Sequence, residues 1–325
     1  MKKPDEIKKV AVLGCGLVGF SFAVLFSRKG LQVNLYNRRS ESLSTAKDRV
    51  REQLEFLAAE GVIKKEVIGD SLSRISIFDS LEDALNDAEY VQEALPEDLA
   101  LKQEFFAEAA RLTGSDVVIG SSCSGLKRSD IVRKVVHAPE RCLVAHPANP
   151  PHLIPFMEIA GDEASQEAKD FTCAFMEHLG QKPIQCREVY GYVLNRVQMA
   201  LIQEALYLVQ QGICTVEGVE RAVTDGLGLR WAYTGPYGVE ELNSANLREG
   251  LEKYKAYLLE GFSELGRIQD YGDDFIDQAV DGFQPVMKGR DHDQYLNWRN
   301  KMLLETRKLK GDFDAPACEE IIFFC

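Results

Sequence analysis

The hydrophobic pattern up to residue 186 predicts short buried strands that alternate with amphipathic helices. Runs rich in Val, Ile and Leu, bounded by glycine or polar residues, predict strands at 8–13, 31–36, 75–78, 90–93, 117–121, 141–146 and 182–186. Apolar residues at helical spacing predict helices at 20–29, 42–60, 81–87, 101–112 and 164–179. This alternation predicts an α/β fold built on a doubly wound, Rossmann-like parallel sheet.

The pattern changes after residue 189, where apolar residues recur at helical spacing and no strand pattern returns. The first of these helical positions are Val193, Val197, Leu201, Ala205 and Leu208. The helical pattern continues to about residue 310. The sequence therefore predicts two domains, a sheet domain over 1–188 and an all-α domain over 189–325.

A G-x-G-x-x-G motif lies between the first predicted strand and the helix that follows it. Gly14 allows a tight turn, Gly16 lets a pyrophosphate approach the backbone, and Gly19 lets the helix pack closely against the strand. Leu17 and Val18 would offer backbone N–H groups to the phosphates at the helix N-terminus. The motif predicts that the sheet domain binds a dinucleotide; the alternative is a glycine turn in an unrelated α/β fold.

The end of the second predicted strand bears on the choice of cofactor. It reads Tyr36-Asn37-Arg38-Arg39, whereas an NAD site usually places Asp or Glu here to bind the ribose 2′-hydroxyl. Asn37 does not repel a 2′-phosphate, and an arginine fork suits one. The cofactor is therefore NAD or NADP, with a slight preference for NADP. In the alternative, Asn37 binds the free hydroxyl and the arginines are solvated.

His146 and Glu158 form a candidate acid–base pair, twelve residues apart. His146 ends a predicted strand, and the carboxyl ends of parallel strands face the ligand crevice of an open sheet. A carboxylate on one ring nitrogen would fix the tautomer and leave the other nitrogen free to accept a proton. In the alternative, His146 is a structural histidine. His137 and His152 lack this arrangement, and both are predicted at the surface.

Composition excludes several classes of protein. The 325 residues carry a net charge of −13, which argues against nucleic-acid binding. No apolar run approaches the roughly 20 residues needed to cross a bilayer, and the N-terminus lacks a secretory signal. The eight cysteines form no C-x-x-C pair, so we interpret them as reduced thiols of a cytoplasmic protein that acts on a small molecule.

Four segments together resemble the L-3-hydroxyacyl-CoA dehydrogenase superfamily over essentially the whole chain. They are His146-Pro147-Ala148-Asn149-Pro150-Pro151 with Glu158-Ile159, Pro96-Glu97-Asp98-Leu99 with Lys102, Ser121-Ser122-Cys123-Ser124, and Gly191-Tyr192-Val193-Leu194-Asn195-Arg196. The resemblance implies a nicotinamide-dependent dehydrogenase whose helical domain binds substrate and forms a homodimer. Asn37 departs from the family, which has Asp at this position.

The resemblance also implies roles for individual residues. Glu97, Lys102 and Asn149 are expected to contact the cofactor. Ser124 and Asn195 are expected to hydrogen-bond the reacting oxygen or the nicotinamide, beside the catalytic pair. The apolar tail at 321–325 is expected to be covered rather than left in water.

Within the superfamily the chain most resembles the lambda-crystallin subgroup, the L-gulonate 3-dehydrogenases. The segment Asp225-Gly226-Leu227-Gly228-Leu229-Arg230-Trp231-Ala232 carries this resemblance. A buried or half-buried Arg230 would need an anionic partner, which the carboxylate of a free hydroxy acid supplies and a thioester does not. In the alternative, Arg230 bridges two helices through an internal Asp or Glu.

These observations favour a dehydrogenase that oxidises the C3 hydroxyl of a small free L-3-hydroxy acid. A carnitine 3-dehydrogenase is one alternative, because Trp231, Tyr233 and Tyr237 could cage a trimethylammonium group, although such a cluster is more often core. A short-chain L-3-hydroxyacyl-CoA dehydrogenase is a second alternative. A non-catalytic structural protein is the third, and the intact His146–Glu158 pair argues against it.

Overall fold

The computed structural model describes residues 1–38, 45–268 and 270–311. The chain folds as two compact units. One is formed by Met1–Arg196 together with residues 307–311 of the described chain, and the other by Val197–Thr306. The domain boundary expected at 188 falls slightly before this change. The return of the chain to the first unit at Arg307, near the end of the last helix, has no counterpart in the hydrophobic pattern.

The first unit is built on one eight-stranded sheet. Its strands are β1 Lys9–Leu13, β2 Gln32–Tyr36, β3 Ile75–Phe78, β4 Tyr90–Glu93, β5 Val118–Ser121, β6 Cys142–Pro147, β7 Phe156–Ala160 and β8 Lys182–Cys186. Their order is β3-β2-β1-β4-β5-β6-β7-β8, and β1 to β6 are parallel. The doubly wound α/β fold is therefore confirmed. The strand order reverses between β1 and β4, where such sheets bind ligands.

Strand β7 was not predicted from the sequence, and it changes the direction of the sheet. It pairs antiparallel with β6 and parallel with β8, so the last two strands run opposite to the other six. The expectation of a parallel sheet throughout is wrong at this edge. A buried carboxylate, Glu158, interrupts the apolar run of β7 and hides the strand pattern.

Helices cover the sheet of the first unit. They are α1 Leu17–Arg28, α2 Ala46–Ala59, α3 Glu66–Ser73, α4 Leu81–Leu85, α5 Leu99–Leu112, α6 Arg128–Ile131 and α7 Gln166–His178. Helix α1 begins directly after Gly16, earlier than predicted, and α3 was not predicted. The expected start of α2 at 42 lies outside the described residues. Side chains of Asp98 and Ser165 cap α5 and α7 by accepting backbone N–H bonds.

The core lies between these helices and the central strands. Every residue of β4, β5 and β6 is buried, as expected for strands covered on both faces. Phe26 of α1 stacks on Phe22 and on Phe175 of α7, with ring centroids 5.4 and 6.2 Å apart. Fully burying such a side chain contributes about 1.5–3 kcal/mol, so this packing fixes α1 and the loop that precedes it.

The second unit is helical throughout its described residues, as predicted. Helix α8, Leu194–Gln210, begins in the first unit and continues into the second. It is followed by α9 Val216–Arg221, a π-helical turn at Ala222–Leu227, α10 Gly228–Trp231, α11 Pro236–Leu242, α12 Leu247–Glu264, α13 Asp273–Met287 and α14 His292–Leu309. Of the described helices, none is both long and apolar enough to cross a membrane.

Candidate active site

The glycine motif forms the loop between β1 and α1. The N–H of Gly14 donates to the carbonyl of Tyr36, and a Cβ at Gly14 would lie 2.4 Å from the carbonyl oxygen of Ala94. A Cβ at Gly19 would lie 1.9 Å from the carbonyl oxygen of Gly14. Both positions therefore require glycine because the backbones approach so closely.

Gly16 plays a different part in the same loop. A Cβ at Gly16 would meet no atom within 4 Å, so the loop leaves open space before the first turn of α1. No side chain caps this end of the helix, and Leu17 and Val18 begin it. Unpaired N–H groups at a helix N-terminus bind phosphate. The loop therefore fits a dinucleotide pyrophosphate.

A groove of about 580 Å³ runs along this loop, a volume in the range of ligand sites. It is lined by the residues at 14–18, by Asn37 and Arg38 after β2, by Arg49 of α2, and by Ala94, Leu95, Pro96, Leu101 and Phe105. The expected residues Gly14, Gly16, Leu17, Val18, Asn37 and Arg38 thus share one groove. Arg39 lies outside the described residues.

Lys102 differs from its expected role as a cofactor contact. Its side chain is 1% exposed, and Nζ lies 2.6 Å from Oε1 of Glu93 in a buried ion pair. Lys102 also donates to the carbonyl of Leu95, while Ser121 donates through its hydroxyl to the other oxygen of Glu93. Lys102 therefore stabilises the turn after β4 through Glu93 and Leu95. The sequence did not identify Glu93 as a residue that supports the site.

Glu97 hydrogen-bonds to the serine loop, residues 121–126. Its Oε1 accepts bonds from the N–H of Gly125, from the N–H of Leu126 at 3.2 Å and from the Cys123 thiol at 3.1 Å. Burial alone would raise the pKa of Glu97, but these bonds outweigh it and hold that pKa below the ordinary value. The carboxylate therefore stays ionised and orders the loop that carries Ser124.

The predicted acid–base pair is in contact. His146 and Glu158 are directly opposite each other in the antiparallel β6–β7 pair, and Nδ1 of His146 lies 2.9 Å from Oε2 of Glu158. The two residues are 3% and 0% exposed. A carboxylate only accepts hydrogen bonds, so Nδ1 carries the proton and Nε2 is the basic nitrogen of the neutral ring.

The second carboxylate oxygen of Glu158 is fixed by the start of α8. Oε1 accepts bonds of 2.7 Å from the N–H groups of both Val193 and Leu194. Burial alone would raise the pKa of Glu158, but the bonds from His146, Leu194 and Val193 together keep it below the ordinary value. An ionised Glu158 orients the imidazole and stabilises the imidazolium that forms when His146 accepts a proton.

The serine loop and the start of α8 lie against each other beside this pair. Asn195 Nδ2 lies 3.5 Å from the carbonyl oxygen of Ser124, and the Tyr192 hydroxyl donates to the carbonyl of Leu126 at 2.7 Å. The ring of Tyr192 packs 5.9 Å from that of His146. Tyr192 thus connects the serine loop to His146, and Asn195 contacts the backbone of Ser124. Tyr192 was missed as a site residue, although its place in the 191–196 motif was a usable signal.

The remaining predicted residues have mixed outcomes. Asn149 is exposed just after β6, and His137 is exposed as predicted. His152 was expected at the surface but is 1% exposed, with Nε2 3.2 Å from Oε1 of Gln53. Arg230 was considered as a buried or half-buried residue, yet it is exposed, and it forms no ion pair with any described residue. The proposed internal bridge through Arg230 is therefore absent from the described part of the chain.

Two family models match the chain in succession. The 3-hydroxyacyl-CoA dehydrogenase NAD-binding domain matches residues 9–189, and the C-terminal domain of the same family matches residues 191–267. This chain belongs to the 3-hydroxyacyl-CoA dehydrogenase family. It is accordingly an NAD-dependent oxidoreductase of CH–OH groups.

Relatives of this chain align with nearly its whole length. The lambda-crystallin homolog of Homo sapiens is 32% identical over 93% of this chain and 96% of its own length. The L-carnitine dehydrogenase of Oceanobacillus iheyensis is 34% identical, with 94% and 99% covered. The fold matches a 5-formyl-3-hydroxy-2-methylpyridine 4-carboxylic acid 5-dehydrogenase, with a TM-score of 0.79, 24% identity, and 94% and 99% of the two chains covered. The predicted membership of the family is confirmed.

Proposed function

We propose that this dehydrogenase oxidises the C3 hydroxyl of a small free L-3-hydroxy acid, of the L-gulonate type. The observation that carries the proposal is the buried His146–Glu158 pair beside the serine loop, in the same unit as the dinucleotide groove. An unprotonated Nε2, on a ring whose Nδ1 is held by a carboxylate, can accept the proton of a substrate hydroxyl.

The proposed chemistry assigns one task to each residue. When bound, the nicotinamide supplies the hydride acceptor. His146 Nε2 accepts the proton of the substrate hydroxyl, and Glu158 stabilises the resulting imidazolium. Ser124 and Asn195 hydrogen-bond the reacting oxygen as it becomes a carbonyl. Tyr192 and Glu97 act through position, because they hold the serine loop rather than touch the substrate.

The exposure of Arg230 favours a substrate that carries a free carboxylate. Its guanidinium is exposed and forms no ion pair with the described residues, so it is available to an anion from outside the chain. A planar carboxylate takes two parallel N–H bonds from an arginine. We propose that Arg230 binds the carboxylate of the hydroxy acid, and the relative named L-carnitine dehydrogenase supports a substrate that is a free acid.

Arg230→Ala is expected to raise KM for the free hydroxy acid about 10–150-fold, since losing one charge-assisted pair costs about 1.5–3 kcal/mol. Arg230→Lys should have a smaller effect because an ammonium offers a point charge. Steady-state kinetics with L-gulonate and with 3-hydroxybutyryl-CoA measures both. Unchanged free-acid kinetics in the Ala variant, or a wild type that prefers the thioester, would favour the L-3-hydroxyacyl-CoA dehydrogenase function instead.

An aromatic group next to Arg230 favours carnitine as a second candidate substrate. Trp231, Tyr233 and Tyr237 are 41%, 64% and 71% exposed, so they are not core residues of the second unit. Exposed aromatic rings attract quaternary ammonium groups through cation–π contacts. A free 3-hydroxy acid with a trimethylammonium group would use both these rings and Arg230.

The choice between NAD and NADP depends on the end of β2. Asn37 is half-buried there, and the Arg38 guanidinium stacks 4.9 Å over the ring of Phe105. Among the described residues that line the groove, none is Asp or Glu. We propose that the site accepts NADP as well as NAD, because a carboxylate that would repel a 2′-phosphate is missing from this lining.

The described cysteines are consistent with the cytoplasmic setting that we propose. Cys15, Cys123 and Cys142 are buried free thiols, and the other described cysteines are free as well. Cys318 and Cys325 lie outside the described residues. Buried, unpaired thiols are usual where disulfides do not persist.

The second unit buries few of its own apolar side chains, which supports a homodimer. Within its described residues Val209, Val239, Phe275 and Leu304 are the buried hydrophobic residues. Large side chains that remain exposed include Leu229, Leu242, Tyr257, Leu259, Phe262 and Val280. Exposed apolar surface on this scale marks an interaction site. The tail at 321–325, also expected to be covered, lies outside the described residues.

Light scattering at micromolar concentration should therefore give the mass of a dimer. The apolar side chains of the second unit are the reason, and Phe262→Glu, which places a charge among them, should shift the mass toward the monomer. Lys288→Gln at the end of α13 is the control, because it also lowers the net charge by one unit, at an exposed polar position. A monomeric wild type would contradict the proposed assembly.

A further inference from the structure

Arg49 occupies a position in the dinucleotide groove that no motif indicates. It lies in the first turns of α2, and its Nη1 donates to the carbonyl of Cys15 at 3.3 Å. Its Cζ lies 4.6 Å above the ring of Phe20 in α1. An exposed arginine that lines the groove is thus held by a loop carbonyl and by an aromatic ring.

The carbonyl that Arg49 contacts lies beside the end of β2. Cys15 Sγ is 3.7 Å from the carbonyl oxygen of Tyr36, and the N–H of neighbouring Gly14 donates to the same oxygen. Tyr36 directly precedes Asn37. Doubly wound dehydrogenases bind the ribose hydroxyls of the adenosine half at this strand end. Arg49 therefore contacts a loop residue, Cys15, whose side chain lies against this strand end.

Among the described residues, the charge that lines this part of the groove is positive. Arg38 and Arg49 both line the groove, and each stacks on a different aromatic ring. Neither forms an ion pair with Asp or Glu among residues 1–38, 45–268 and 270–311. Two prepositioned guanidinium groups match a phosphate monoester, which carries about −1.5 to −2 charges at pH 7.

We propose that Arg49 is a specificity-determining residue that binds the 2′-phosphate of NADP together with Arg38. The proposal deepens the proposed function, since it names the cofactor of the same groove. It assigns Arg49 to the 2′-phosphate and not to the pyrophosphate, because the loop N–H groups at Leu17 and Val18 already provide a pyrophosphate site. NAD lacks the 2′-phosphate, so Arg49 contributes little to its binding.

The affinities of two nucleotide fragments distinguish binding at the 2′-phosphate site from binding at the pyrophosphate site, and no substrate is needed. Titration calorimetry measures the Kd of 2′,5′-ADP and of 5′-ADP for the full-length protein. The wild type should bind 2′,5′-ADP at least tenfold more tightly, and Arg49→Gln should remove at least tenfold of its affinity while 5′-ADP binding stays within about twofold, since a charged hydrogen bond is worth about tenfold or more. Asn37→Asp should weaken 2′,5′-ADP in the same selective way through like-charge repulsion.

Arg51→Gln is the matched control. Arg51 lies on the same helix and is exposed, but it points roughly 200° around the helix from Arg49 and is not among the residues that line the groove. This variant should leave both Kd values unchanged, and circular dichroism should show that both variants are folded. Equal losses for the two nucleotides would assign Arg49 to the 5′-phosphates and overturn the proposal, as would no loss in the Arg49 variant.

The outcome is independent of the substrate. If 2′,5′-ADP binds no better than 5′-ADP but the protein oxidises a free hydroxy acid with NAD, the role of Arg49 is wrong and the proposed function stands. If Arg49 selects the 2′-phosphate but no hydroxy acid is oxidised with either cofactor, the proposed function is wrong and the cofactor inference stands.

Discussion

Replacing His146 by Gln is expected to lower kcat by about 10²–10⁴-fold, the usual worth of a general base. Gln fills similar space and can still bond Glu158, but its amide does not accept a proton. Because His146 is buried on β6 and the groove is lined by other residues, the Kd for NADH should change little. Stopped-flow hydride transfer and a separate NADH titration measure the two quantities.

His137→Gln is the matched control for this prediction. His137 is exposed and lies outside the catalytic strand pair, so its replacement should leave kcat unchanged. A His146→Gln variant with near-normal turnover would show that another group removes the proton.

Glu158→Gln is expected to have the second largest effect, a loss of about 10²–10⁴ in kcat. A buried carboxylate that orients a catalytic histidine has a comparable worth in the Ser-His-Asp triad, where the amide favours the wrong tautomer. Here the amide would also present N–H₂ or a neutral oxygen to the backbone donors of Val193 and Leu194. Rapid kinetics at saturating cofactor measures the loss. A loss below tenfold would mean that the imidazole needs no fixed anion.

The same variant changes how stability depends on pH. The folded pKa of Glu158 lies below its unfolded value, so the carboxylate stabilises the fold above the unfolded pKa of about 4.3. That contribution is lost as the pH falls through the folded pKa. The gap in unfolding free energy between wild type and Glu158→Gln should therefore be largest near neutral pH and should narrow in acid. Urea titrations at about pH 7 and about pH 4 measure the gap, and a constant gap would contradict this.

Much of the site could be predicted from the sequence because its signals are local. The glycine loop combines a strand, three glycines and a helix start within a few residues, and the structure shows a steric reason for Gly14 and for Gly19. The signal for His146 is also local, because a short apolar run places the histidine near the carboxyl end of its strand. Signals of this kind depend on backbone geometry, which short sequence patterns reflect.

The parts that could not be predicted depend on contacts between distant segments. Glu158 was matched to His146 by spacing, but the antiparallel strand that places them opposite each other was hidden by that same carboxylate. Lys102 has the position of a cofactor contact in the motif, yet burial directs it to Glu93. Arg49 is an ordinary helix residue in the sequence, and only the packing of α2 beside the glycine loop brings it to the groove. Such contacts between distant segments leave no periodic hydrophobic pattern in a single sequence.

The most direct test of the proposed function is an initial-rate panel on the wild-type protein at alkaline pH, where release of a proton favours oxidation. L-gulonate, carnitine and 3-hydroxybutyryl-CoA are each combined with NAD and NADP, and kcat/KM is compared. We expect a free 3-hydroxy acid to exceed the thioester by at least tenfold, since only the free acid offers Arg230 a carboxylate. A higher kcat/KM for 3-hydroxybutyryl-CoA, or no oxidation of any free acid, would contradict the proposed function.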